Sequence, residues 1–278
     1  MEIKASEVKT LREKTGAGMM ECKKALVECE GNAGKAEKLL KEKGLAAVEK
    51  RADRATSEGR IFIKNAGNRV IIAELTCETD FVAKNADFIA VGDAILDRAM
   101  EKGYTAVNEE LSNMLLDLAT KIRENMSLRR LEAIDIGADQ IFAKYVHSDG
   151  KSGVVVVLKA DKPEALANKA VKDFAYDCCL HIAAFAPKYI CSDDVDSAYI
   201  EEQKEIFTKQ AAELDKPDNV KAGIVQGKIK KHLADICFLD QPFVKDDKVS
   251  VSQKMEQAGK EAGAKLSLSK VVFYQLGA

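Results

Sequence analysis

Thr79-Asp80-Phe81-Val82-Ala83-Lys84-Asn85 is the stretch that decides how this chain is read. Before it runs Arg69–Cys77 (Arg-Val-Ile-Ile-Ala-Glu-Leu-Thr-Cys), with the β-branched and apolar character of a buried strand. After it, Val82, Phe88, Ile89, Val91, Ile95, Leu96 and Met100 recur at helical spacing as far as Gly103, which predicts one long helix beginning near Phe81. Asp80 and Phe81 therefore fall at a strand-to-helix junction, where side chains stand on a rigid base. Two readings of them are open. Asp80 can be a first-turn acid, stabilised by roughly 0.3–1 kcal/mol by the helix dipole, with Phe81 folded back as a staple on the next turn. Alternatively, the ring is displayed for another molecule.

The rest of the chain narrows the classes of function. With 278 residues and 46% apolar content it can bury a real core in one to three domains. Its 43 basic and 45 acidic residues give a net charge of −2, so no bulk field points to nucleic acid or to a membrane surface. No apolar run approaches the ~20 residues of a membrane span. The opening Met1-Glu2-Ile3-Lys4-Ala5-Ser6 lacks the apolar segment of a secretory signal, so a cytoplasmic location is expected. Seven cysteines (Cys22, Cys29, Cys77, Cys178, Cys179, Cys191, Cys237) form no C-x-x-C pair, and His147, His181 and His232 are scattered. Reduced thiols, no metal site and no cofactor are expected.

Residues 3–44 read as three short helices. Ser6 is placed as the cap of the first, which carries Val8 and Leu11 and ends at Gly16. In the second, Met19, Cys22, Ala25, Leu26 and Cys29 share one stripe, while Met20 and Val27 fall on roughly the opposite face. The third packs Ala36, Leu39 and Leu40 and is expected to close at Gly44. So small a unit has little apolar material to spare. A methionine off its stripe therefore suits a partner surface or docking on the rest of this chain.

Residues 46–58 are charged and alanine-rich and read as a linker, partly helical. A hairpin follows, with Arg60–Asn65 and Arg69–Cys77 flanking Ala66-Gly67-Asn68. Beyond the long helix, a second near Val107–Asn125 carries Leu111, Met114, Leu115, Leu118 and Ile122. The α+β pattern then recurs: Leu128–Ile136, Gln140–Ser148 and Gly153–Ala160 read as three antiparallel strands. After Pro163, a helix buries Val171, Phe174, Cys178, Ile182 and Phe185. His181 lies on that apolar face and reads as a packed core residue rather than a catalytic one. Ile200, Phe207 and Leu214 recur every seventh residue, and Val225, Ile229 and Leu233 every fourth, around Lys216-Pro217-Asp218. They predict an antiparallel helical hairpin suited to self-association. A helix near Val251–Glu261 and a strand over Lys265–Gln275 complete an α+β fold class: a helical N-terminal domain over 1–45, the linker 46–58, a first core half over 59–127, a second over 128–192 and 235–278, and the hairpin inserted at 193–234.

Two long motifs resemble the bacterial elongation factor Ts family over essentially the whole chain. The first is Leu11-Arg12-Glu13-Lys14-Thr15-Gly16-Ala17-Gly18-Met19-Met20-Glu21-Cys22-Lys23-Lys24-Ala25-Leu26, and the second is Cys77-Glu78-Thr79-Asp80-Phe81-Val82-Ala83-Lys84-Asn85. Shorter echoes are Lys121–Arg130, His181-Ile182-Ala183-Ala184 and Gln241-Pro242-Phe243-Val244. The resemblance implies a guanine nucleotide exchange factor for elongation factor Tu, a GTPase. It implies that the helical domain is ubiquitin-associated-like and touches that GTPase through Arg12, Met19 and Met20. It implies that Thr79, Asp80, Phe81 and Val82 form a wedge that dislocates the partner's Mg²⁺, that His147 meets another domain of the partner, and that residues 193–234 dimerise. Some family members carry a further C-terminal helical module; here the sequence reaches Ala278 soon after Val271–Leu276, and that contact is expected to be missing.

Other classes fit less of the sequence. An enzyme built on Cys77, or on Glu78 and Asp80 as an acid–base pair, lacks a companion histidine, and no phosphate loop or zinc signature is present. An adaptor acting through its helical domain, without exchange activity, explains residues 3–44 and leaves Thr79–Asn85 unused.

Overall fold

A computed structural model describes residues 3–278. The chain divides into two compact units, one of residues up to Asp135 with Val146–Gly153 and Tyr274–Ala278, the other of Ile136–Tyr145 with Val154–Phe273. The fold is α+β, with antiparallel pairing in the first sheet.

The first unit opens with helices α1 (Ala5–Thr15), α2 (Met19–Glu28) and α3 (Ala33–Glu49) around a small core of Val8, Leu11, Cys22, Ala25, Leu26 and Ala36. Gly16 ends α1 in the left-handed conformation (φ 68°), a setting that glycine adopts without Cβ strain. Three expectations are corrected. Lys4, not Ser6, precedes the first helical residue, and its N–H donates to Glu7 Oε2 at 2.9 Å. Met19 leaves the buried stripe, because it opens α2 and has no preceding turn to pack beneath. The third helix runs through Gly44 to Glu49, shortening the linker. There glycine serves close approach rather than termination: a Cβ on Gly44 would lie 2.3 Å from Thr120 Cγ2.

Strands β1 (Glu58–Ala66) and β2 (Arg69–Cys77) form the hairpin. Helices α4 (Asp80–Ala83), α5 (Ala86–Lys102), α6 (Glu109–Asn113) and α7 (Leu116–Ile122) follow, then β3 (Met126–Asp135). Here β3 pairs antiparallel with β2, so the sheet order is β1-β2-β3 and β3 belongs to the first sheet rather than to a second three-strand set. Central β2 is buried along eight of its nine residues, including Glu74 and Thr76 among its apolar side chains. Phe62, Ile71, Ala73, Leu75 and Cys77 pack under Phe88, Ile95, Leu96, Leu111, Leu115 and Leu118 of the helical layer. On the opposite face sits Glu74, fully buried. A bulge at Glu74/Leu75 sets two consecutive arginines on it, Arg129 at 3.1 Å and Arg130 at 2.6 Å.

In the second unit, β4 (Gln140–Val146), β5 (Ser152–Ala160) and β8 (Leu266–Gln275) form a sheet in the order β4-β5-β8. Helix α8 (Lys169–Phe185) packs Val171, Phe174, Cys178 and Ile182 with Val154, Val156 and Leu158. Phe185, expected in that core, is exposed, because the helix ends there and Ala186 turns left-handed at φ 43°. His181 is buried as expected: its Nε2 bonds Gln241 Oε1 at 2.8 Å, and Nδ1 accepts the Val244 N–H at 3.2 Å. Burial lowers its pKa, against the Gln241 bond, and the Val244 contact requires an unprotonated Nδ1. Helices α9 (Ser197–Ala212) and α10 (Asp218–Ile236) form the helical hairpin, in which Tyr199 and His232 meet at 2.9 Å. Leu214 lies beyond the end of α9 and is exposed. A short ladder, β6 (Pro242–Phe243) with β7 (Asp246–Ser250), precedes α11 (Val251–Ala262).

Candidate functional site

The predicted long helix is in fact two. Thr79 opens α4, its Oγ accepting the Val82 N–H at 3.4 Å, and Asn85 caps α5 by accepting the Asp87 N–H at 2.7 Å. The break isolates Asp80-Phe81-Val82-Ala83 as one turn standing off the end of the central strand. Its side chains diverge sharply. Val82 is 7% exposed and packs into the first core, whereas Phe81 is 82% exposed. The ring is not a staple on its own helix.

Asp80 pairs with Lys84 at 2.7 Å, and the Lys84 ammonium holds its carboxyl below the usual carboxylate range. Lys151 acts in the same direction from farther away. Behind the turn, Glu124 accepts two bonds from Thr79, the backbone N–H at 3.1 Å and the hydroxyl at 2.7 Å. The neighbouring Asn125 N–H donates to Glu78 Oε1 at 2.6 Å. The sequence alone assigns no role to Glu124 and Asn125, although both lie in the Lys121–Arg130 run.

The setting of Cys77 disfavours a thiolate nucleophile. Burial, and then the Glu124 carboxylate, push its thiol up to about 12. Glu78 is engaged by the Asn125 N–H and Asp80 by Lys84. Among the described residues, no group of three or more His, Cys, Asp or Glu is placed to hold a metal ion, and no helix is long and apolar enough to cross a membrane.

The other predicted residues lie on two further features of the same unit. On the helical domain, Met20 is 64% and Val27 56% exposed, with Met19 beside them at 45%. Arg12 is exposed on α1. Glu21, next to Met20, accepts the Gly18 N–H and pairs with Arg123; the Gly18 bond is the first cause of its lowered pKa. His147 is exposed on the tight turn between β4 and β5, where its carbonyl accepts the Gly150 N–H at 2.8 Å. That turn is fastened to β1 by Ile61 N–H to Gly150 O at 2.8 Å and by Lys151 to Glu58 at 2.8 Å. Thr79, Asp80, Phe81 and Val82 thus share one turn, while Arg12, Met19, Met20 and His147 stand on other elements.

The model of the family described as elongation factor TS matches residues 78–278. Elongation factor Ts of Treponema denticola is 64% identical over 277 residues, spanning all of this chain and 99% of that protein. The Treponema pallidum protein of the same name is 53% identical over 288 residues, and that of Borreliella burgdorferi 40% over 276, each with 99% of its length covered. The chain belongs to the elongation factor Ts family.

Proposed function

We propose that this chain is the guanine nucleotide exchange factor of elongation factor Tu, and that Thr79, Asp80, Phe81 and Val82 are the wedge that releases GDP. One observation carries the reading: Phe81 is 82% exposed while Val82 beside it is 7% exposed, so a rigid turn offers a large apolar ring to solvent. An isolated ring of this kind fits a pocket in a partner better than any role inside its own fold.

The GTPase partner holds GDP through phosphate contacts and Mg²⁺, which requires near-octahedral coordination at 2.0–2.1 Å. The exchange factor has no need to touch the nucleotide. It binds the partner conformation in which that shell cannot close. Phe81 enters between elements of the GTPase and Asp80 follows, shifting the backbone that completes the shell.

Burying one phenylalanine yields roughly 1.5–3 kcal/mol, and each tenfold weakening of nucleotide affinity needs about 1.4 kcal/mol of coupling. The ring therefore accounts for about one to two decades. Further coupling comes from Arg12, Met19 and Met20 on the helical domain and from His147 on its anchored turn. Coupling is reciprocal, so fresh nucleotide weakens the grip on the partner by the same factor and releases it.

Stopped-flow release of a fluorescent GDP analogue from elongation factor Tu tests the reading. Catalytic amounts of this protein are expected to accelerate release by orders of magnitude, and excess Mg²⁺ to slow it. Release at the spontaneous rate would reject the function.

A further inference from the structure

The wedge turn is held from behind by one carboxylate, 45 residues further along the chain. Glu124 Oε2 accepts the Thr79 N–H at 3.1 Å and Oε1 accepts the Thr79 hydroxyl at 2.7 Å. The same hydroxyl oxygen accepts the Val82 N–H at 3.4 Å. Its proton is thereby committed to Glu124 and its lone pair to the first turn of α4, which fixes the Thr79 rotamer. A charged acceptor strengthens both bonds relative to neutral ones.

The turn that carries Glu124 is itself specialised. Arg123 is one of three non-glycine residues at positive φ among those described (70°), and its N–H closes α7 on Ala119 O at 2.9 Å. That conformation is costly for a residue with a Cβ. It sends three consecutive residues to three segments. Arg123 pairs with Glu21 beside Met20, Glu124 holds Thr79, and Asn125 Nδ2 donates to the linker carbonyls of Ala52 and Arg54 at 3.0 and 2.8 Å.

We propose that Glu124 is a positioning residue for nucleotide exchange, setting the Thr79 cap so that Phe81 is presented outward before the partner arrives. This rests on the exchange-factor reading above. Pre-setting avoids the loss of rate that follows when only a fraction of molecules hold the competent conformation. Arg12, Met19, Met20 and His147 take no part in this Glu124–Thr79 clamp. Its loss therefore leaves docking largely intact and slows the step after docking.

The test is the exchange assay with the full chain, read as maximal rate and half-saturating concentration. Glu124→Gln keeps the shape but removes the charge, and is expected to lower the maximal rate about tenfold, equivalent to about 1.4 kcal/mol. With this protein varied in excess over its partner, the half-saturating concentration should stay within about threefold, whereas a merely structural lesion would raise it in inverse proportion to the folded fraction and leave the maximal rate unchanged. Thr79→Val should reproduce the loss, and the Glu124→Gln/Thr79→Val double variant should be no slower than either single one. Thr79→Val reads the same contact should the glutamine variant fold poorly. An unchanged maximal rate in Glu124→Gln, or losses that add in the double variant, would overturn the proposal. Impairment by Phe81→Ala alone would remove the positioning role and leave the wedge standing. Inactive wild-type protein would remove both.

Discussion

Replacing Phe81 by alanine separates the fold from the function. The residue buries only about a fifth of its surface in the free protein. At roughly 1.5–3 kcal/mol for full burial, the stability at stake is about 0.3–0.6 kcal/mol. Alanine is the better helix former by roughly half a kcal/mol, which offsets most of that loss. The melting temperature should therefore move by no more than about 2 °C. On the proposed reading the whole ring is buried only against the partner, so exchange should respond quite differently. Removing it takes away roughly 1.5–3 kcal/mol of coupling, so stimulated GDP release should slow by about ten- to a hundredfold. Affinity for elongation factor Tu should remain measurable by calorimetry through the helical domain and the His147 turn. Unimpaired release by Phe81→Ala would refute the reasoning, and so would a melting temperature lowered by many degrees, since the ring would then belong to this protein's own core.

Met20→Ala should leave the melting temperature nearly unchanged, because Met20 is 64% exposed, and should weaken partner affinity several-fold in calorimetry. A large drop in melting temperature would place Met20 in the core instead. Gly92→Ala pits two effects against each other on α5. Helix propensity gains up to about 1 kcal/mol, but the new Cβ would lie 2.2–2.7 Å from Phe62 ring atoms, and overpacking costs roughly 1–3 kcal/mol. The clash wins, so thermal denaturation should show a loss of a few degrees; a gain would contradict the packing. His181 gives a pH dependence of known sign. Its folded pKa is lowered by burial below the ordinary 6.5, so the unfolded chain takes up the proton first and stability falls as pH drops below about 6.5. The stability difference between wild type and His181→Asn should shrink between pH 7.5 and 5.5, and a difference that widens would refute the neutral buried ring.

What the sequence made legible was local or periodic. The β-branched and apolar character of Arg69–Cys77 marked a buried strand, and Gly16 and Gly103 marked helix ends that require a left-handed residue. The spacing around Lys216-Pro217-Asp218 declared a helical hairpin. Non-local choices were hidden. Strand β3 has a plain amphipathic pattern, and nothing in it names β2 as its partner; the register comes from pairing over a long separation.

At the site the division is similar. The contrast between exposed Phe81 and buried Val82 depends on a one-turn helix, and the apolar period ran through the break at Lys84 and Asn85. Side-chain capping by Asn85 was the available signal, an amide followed two residues later by an acidic helix-start residue. Glu124 was beyond local reading, since its bonds span 45 residues. Gly44 misled for an instructive reason. Glycine marks both helix ends and close approaches, and only the position of Thr120 distinguishes them.

A photoreactive phenylalanine analogue at position 81, irradiated in the nucleotide-free complex with elongation factor Tu, interrogates the wedge itself. Cross-links mapping to the GTPase domain of the partner, and abolished by excess GDP with Mg²⁺, are the expected result. Efficient complex formation with no cross-link from position 81, or with cross-links only within this chain, would contradict an outward ring that opens the metal site of its partner.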